Sequence, residues 1–267
     1  MATKLNKKSY QLPCRYGDIQ RGFTLVEIAI VLVIIGLLIG GILRGQELIS
    51  SARVRNIVSQ QTSIQAAFFG FLDRYKAMPG DLNAIQAALV NGNTQAAFGT
   101  TGSTAGDGVI SVFDTVSFFN NLAQAGFINC AACMQTFTSQ QVPSAKNSPT
   151  NTFAGTLYVN SVYGGDTKGG TANTNDYLSA NVSGEPPRLK VTTGNNIPSP
   201  ITAETDRKMD DGDPSTGIFR ASSLGIGGVA NGQFISSAGM ANCATLGVSP
   251  AIWVISPTAY CQGALLY

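Results

Sequence analysis

The 267-residue chain contains no histidine, and only 12% of its residues are charged. Without imidazole the usual general base and the commonest metal ligand are missing, so Ser-His-Asp, Cys-His and His-zinc chemistry are excluded and no enzymatic activity is expected. A net charge of +2 supplies no basic stripe for neutralising a run of phosphates, so nucleic acid is not among the expected partners.

In chain order, the first informative feature is a basic stretch, Lys4, Lys7, Lys8, Arg15 and Arg21 against the single acid Asp18. It leads into Phe23–Leu43, FTLVEIAIVLVIIGLLIGGIL, whose one strongly polar member is Glu27. As a helix these residues span roughly 31 Å, the thickness of a bilayer's hydrocarbon core, and no face of them is polar enough for water. The positive-inside bias puts the N-terminus in the cytoplasm and everything after about Arg44 outside it. A secretory signal peptide has a shorter apolar run and a small-residue exit site, whereas this run is followed by Arg44-Gly45-Gln46-Glu47. A plain anchor accounts for the length but not for Glu27, a carboxylate that is costly in lipid and therefore expected to have a partner.

The residues Arg21-Gly22-Phe23-Thr24-Leu25-Val26-Glu27 resemble the processing site of type IV pilins and type II secretion pseudopilins. The resemblance is close from about Arg21 to Tyr75. It implies a leader of residues 1–22, cut after Gly22 by a membrane prepilin peptidase that methylates the new amine of Phe23. It implies that Glu27, fifth in the mature chain, neutralises the Phe23 ammonium of a neighbouring subunit in low dielectric, which makes it an assembly residue. The implied setting is a bacterial inner membrane, crossed once, and then a periplasmic or extracellular filament of pilin subunits built by inner-membrane assembly machinery. The expected role is a structural subunit of a type IV pilus or a secretion pseudopilus. The alternative is a minor or tip subunit whose large domain binds a surface, a secreted substrate or DNA. Many pilins carry a proline near the membrane exit, where this chain has Arg44.

Beyond the apolar segment, Val54, Ile57, Val58, Ile64, Phe68, Phe71, Leu72 and Tyr75 recur mostly at three- and four-residue steps. An amphipathic extension over 44–78 is expected, one helix from about Phe23 to Lys76, ending at Met78-Pro79-Gly80-Asp81. Residues 79–267 then read as an exported α+β domain, small-stranded and loop-rich, on the long N-terminal helix. Strands are expected at Leu157–Val162, Arg188–Thr192, Gly217–Ala221 and Ala251–Ile255, and helices at Asp114–Ala125 and from an N-cap at Ser199 to about Met209. Gly164–Asn175 has almost nothing apolar to bury and reads as a loop. Ala77–Asp81, Gly106–Gly108, Phe118–Gly126 and Asp206–Pro214 are similar to segments of large pilin-like proteins.

Asp206 and Asp210 lie one helical turn apart, with Asp211 and Asp213 following in a glycine-bearing turn. Their oxygens are candidates for one hard cation, calcium, as in some pseudopilins; the spacing is not an EF-hand, and Asp-Gly turns are also ordinary solvated caps. Asp107 is a weaker candidate of the same kind. No other cofactor is expected. Cys14 falls in the leader, leaving Cys130, Cys133, Cys243 and Cys261. An even count in an oxidising compartment favours disulfides, with three connectivities open. The resemblance to the C-terminal disulfide loop of pilins implies Cys243–Cys261, with Cys130–Cys133 as a local second bridge. A redox Cys-x-x-Cys lacks its βαβ setting, and a four-cysteine zinc site has its second pair too far apart.

Overall fold

The computed structural model describes residues 22–90, 106, 108–110, 114–135, 142–162, 188–222, 243–245, 250–256 and 258–267. Leader residues 1–21, Asp107 and Gly164–Asn175 lie outside them. The chain divides into two compact units, Met1–Glu47 and Leu48–Tyr267, and one helix, α1 (Leu25–Tyr75), contributes to both.

In the first unit the large apolar side chains of α1 are exposed, from Leu25 to Leu43, as a lipid-facing segment requires. Within the second unit the same helix becomes one-sided. Val54, Ile57, Gln61, Ile64, Phe68 and Phe71 are buried at alternating steps of three and four, which keeps them on one face. Gln61 sits on that face because its side-chain amide reaches the Thr192 carbonyl at 3.3 Å. The helix ends at Tyr75, followed by Lys76 in the left-handed region at φ 52°, whose N–H bonds the Leu72 carbonyl; such a residue is a common helix terminator.

Two short helices follow, α2 (Ala84–Leu89) and α3 (Thr115–Gln124). The apolar residues of Asp114–Ala125 do form a helix, and Gly126 stops it. At φ 78° it lets the Phe127 N–H reach the Leu122 carbonyl and its own N–H reach that of Ala123, the paired bonds of a Schellman cap.

The strands are β1 (Val159–Val162), β2 (Arg188–Thr192), β3 (Ile197–Pro198), β4 (Phe219–Ala221), β5 (Tyr260–Cys261) and β6 (Gly263–Leu266), with α4 (Ser199–Met209) after β3. One antiparallel sheet runs β1-β2-β6-β4 and a second pairs β3 with β5. Val191, Leu265 and Phe219 face one another across three strands and are buried. One core cluster joins Ile64, Phe68 and Phe71 of α1 to α3, β1 and β2. Another gathers Ala203, Phe219, Trp253, Cys243, Cys261 and Leu265. The architecture is α+β, a long helix with a small antiparallel sheet.

Two expectations are corrected. Ala251–Ile255 forms no strand; Trp253 alone bridges Ala244, and the Ile252 N–H, which would extend the pairing, is taken by the Thr245 hydroxyl. Ser199 is the first residue of α4 rather than its cap; Pro198 holds that position, and the Ser199 hydroxyl donates to the Val254 carbonyl.

Candidate assembly site and processing junction

Residues 22–24 precede α1 in non-helical backbone. Phe23 is 83% exposed, and no atom comes within 4 Å of where a side chain on Gly22 would begin. Among the described residues the Gly22–Phe23 peptide therefore lies outside the helix and uncovered.

The first turn of α1 is closed by a reciprocal cap. The backbone N–H of Thr24 donates to Glu27 Oε2 at 2.8 Å, and the Thr24 hydroxyl donates to the same oxygen at 2.7 Å. In return the Glu27 N–H donates to Thr24 Oγ1 at 3.2 Å. This is a capping box, Thr at the N-cap and Glu three residues on. For a helix that starts at a membrane surface such a cap would matter more than in a soluble one. The first N–H groups of a helix have no intrahelical acceptors, and at a membrane surface an unsatisfied donor or an uncompensated carboxylate is expensive. The carboxylate also sits at the positive end of the helix macrodipole. Glu27 thus has a partner within its own chain, which the sequence reading, looking only for a partner in a neighbour, missed. The signal was present as Thr-x-x-Glu ahead of an apolar run. Both side-chain bonds fall on Oε2; among the described residues Oε1 accepts nothing and Glu27 enters no ion pair.

In the second unit the cysteines pair locally. Cys130 and Cys133 form one bridge and Cys243 and Cys261 the other, with Cα atoms 5.3 and 5.6 Å apart. The second closes the loop that carries Trp253. That indole donates to Asp206 Oδ2 at 2.6 Å, tying the loop to α4.

Asp206, Asp210 and Asp211 are brought together, each with an oxygen within 4.8 Å of the others. Asp213 is not part of the group; its carboxylate accepts from the Ser215 N–H and hydroxyl. Asp210 Oδ2 accepts the Ile218 and Phe219 N–H groups, and Gly217, at φ 71°, lies where any side chain would strike that carboxylate. Asp211 accepts from the Asp213 N–H at 2.9 Å and the Thr216 hydroxyl at 2.6 Å. Asp206 is fully buried, and its Oδ1 has no partner. Burial pushes its carboxyl up to about 7, opposed by bonds from the Trp253 indole and the Gly212 backbone and reinforced by the charges of Asp211 and Asp210.

Three of the four segments that resemble pilin-like proteins meet in space. The Asp81 carboxylate accepts the Gly106 and Gly108 N–H groups, each at 2.6 Å, and the Gly80 N–H donates to Asn121 Oδ1 of α3 at 2.8 Å. They form a clasp below the end of α1.

The described residues thus combine a capped helix long and apolar enough to cross a membrane, by length and composition, with an α+β fold. Residues 18–43 match the family model described as the prokaryotic N-terminal methylation motif, the signature of type IV pilins and pseudopilins. No curated protein and no solved structure matches the chain.

Proposed function

We propose that the chain is a structural subunit of a type IV pilus or a type II secretion pseudopilus. Prepilin peptidase cuts it after Gly22 and methylates Phe23, and it is held in the bacterial inner membrane with its N-terminus cytoplasmic until it joins a filament. The observation that carries the reading is the capping box. It fixes the Glu27 carboxylate at the helix start through Oε2 and leaves Oε1 to meet the Phe23 ammonium of the next subunit, a charge pair that low dielectric strengthens. Mass spectrometry of the mature N-terminus tests it. N-methylated Phe23 is the expected result, with processing blocked in Gly22→Val; a mature chain beginning after Leu43 would sink the proposal in favour of a secretory signal.

The second reading, a minor or tip subunit, is favoured by one observation, the exposed Ile252, Ile255 and Tyr260 on the Cys243–Cys261 loop. The share of this chain in sheared filaments separates the two, dominant mass for a shaft subunit and trace amounts for a tip. We also propose that calcium is held by Asp206, Asp210 and Asp211. The unpartnered Asp206 Oδ1 and the gathered carboxylates fit a hard cation, which would neutralise their mutual repulsion; the bond pattern of Asp213 leaves it outside that set.

A further inference from the structure

The Cys243–Cys261 loop is tied to α4 at two places. At the start of that helix the Ser199 N–H donates to the Ala259 carbonyl at 2.9 Å, and the Ser199 hydroxyl to the Val254 carbonyl. Further along the helix, Asp206 Oδ2 accepts the Trp253 indole N–H. Trp253 is 3% exposed, whereas its neighbours Ile252 and Ile255 are 63% and 56% exposed. The loop therefore turns one large side chain inward, onto Asp206. Within the loop the Val254 N–H bonds the Cys243 carbonyl at 2.8 Å and the Thr245 N–H bonds that of Ile252 at 2.9 Å, so the backbone on either side of Trp253 follows where the indole is held.

Asp206 is a shared group. One of its oxygens holds the indole; the other, Oδ1, is buried and accepts nothing among the described residues. One oxygen each of Asp206, Asp210 and Asp211 lie within 4.8 Å of one another. The last two carboxylates are fixed by the turn after α4. Asp210 accepts the Ile218 and Phe219 N–H groups, and Asp211 the Asp213 N–H and the Thr216 hydroxyl. Two of the three carboxylates thus stand on a frame that does not include the loop, and the third carries the loop's anchor.

We propose that a calcium ion on Asp206, Asp210 and Asp211 locks the Cys243–Cys261 loop onto α4 through Trp253, which rests on the calcium reading of those carboxylates and adds what the ion controls. A ligated carboxylate is held in one orientation, and its hydrogen-bonded partner is oriented with it. The ion joins Asp206 to the fixed pair, and Asp206 joins the loop to the ion. Linkage makes the coupling reciprocal, so docking of Trp253 favours the ion as much as the ion favours docking. Ile252, Ile255 and Tyr260, the exposed apolar residues of the loop, are held in one arrangement with the ion bound and loosened without it.

Terbium, a hard cation that takes oxygen ligands as calcium does, reads the site in the detergent-solubilised full chain, because its luminescence is excited through a nearby indole and Trp253 is the only tryptophan. Sensitised emission that calcium displaces is expected. Hydrogen exchange, with calcium or with chelator, reads the loop. Protection of the Thr245 and Val254 amides should rise at least about tenfold with calcium, while that of Phe127, after α3, stays constant. Asp211→Asn loses a ligand and leaves the Trp253 bond in place; it should lose the emission and the calcium-dependent protection together. Trp253→Phe keeps all three carboxylates and should bind calcium about tenfold more weakly by calorimetry, with a loop that no longer responds. Terbium emission with unchanged loop protection, or protection that rises equally at Phe127, would overturn the lock and leave the calcium site standing. No emission and no calcium heat in the wild type would remove the calcium site, and the lock with it.

Discussion

Raising the pH from about 4 to about 8 should loosen the C-terminal part of the domain, and Asp206→Asn should remove the effect. The Asp206 carboxyl is held up to about 7 in the fold, whereas an unfolded aspartate titrates near about 3.9. Between these values the folded state binds more protons than the unfolded one. Stability is therefore full below about pH 4, falls as the pH rises through about 7 and levels off above it. A gap of about three pKa units sets a ceiling of about 4 kcal/mol. Asp210 and Asp211 are partly exposed, so water screens their share, and we expect a loss of about 2 kcal/mol. For a unit of this size that lowers the Tm by about 4–8 °C. In Asp206→Asn a neutral amide stands where the protonated acid stood. It still accepts the Trp253 N–H, and its own N–H groups face the neighbouring carboxylates. Trp253 is the only tryptophan in the chain, so its fluorescence during thermal unfolding reports on this site directly. Millimolar calcium should flatten the wild-type slope if the three carboxylates hold the ion, since the cation replaces the proton. Equal slopes for wild type and Asp206→Asn across the same pH range would refute the reasoning.

Three other outcomes are expected. Glu27→Ala should be processed and inserted, since the helix becomes more apolar, yet be missing from sheared filaments when it is the only copy; wild-type yield would make Glu27 a bystander. Thr24→Val, which loses the hydroxyl bonds to Glu27, should lower filament yield severalfold while Thr24→Ser retains it, measured on the same shearing assay. Asp81→Ala removes the acceptor of two charge-assisted bonds and should cost about 3 kcal/mol, or a fall of about 6–12 °C in the Tm followed by circular dichroism.

Sequence periodicity was a good guide where one chain segment decides its own structure. The apolar run and the three-and-four spacing from Val54 to Phe71 lead to α1, and the β-branched residues of Arg188–Thr192 to β2. It was a poor guide to β6, because Gly263-Ala264-Leu265-Leu266 has no β-branched residue and owes its conformation to pairing with β2 and β4. Ala251–Ile255 had the reverse fault: its apolar, β-branched residues suit a strand, yet its pairing with residues 243–245 stops at a single bridge. At the candidate sites, Thr24-x-x-Glu27 carries the local signature of a capping box. The Trp253–Asp206 bond joins residues 47 apart, and the Asp81 clasp joins residues 25 and 27 apart; nothing local marks either.

The placement of β6 bears on the order in which the sheet can close. It is an inner strand of the four-stranded sheet, flanked by β2 and β4, yet it comes from residues 263–266, later in the sequence than either neighbour. Until it arrives, β2 and β4 are separate edges with no common partner, and the core side of Phe219 has no Leu265 to meet. Contacts so distant in sequence form late and slowly. Closure of the four-stranded sheet therefore waits on residues 263–266, and until they dock the domain consists of two unjoined halves.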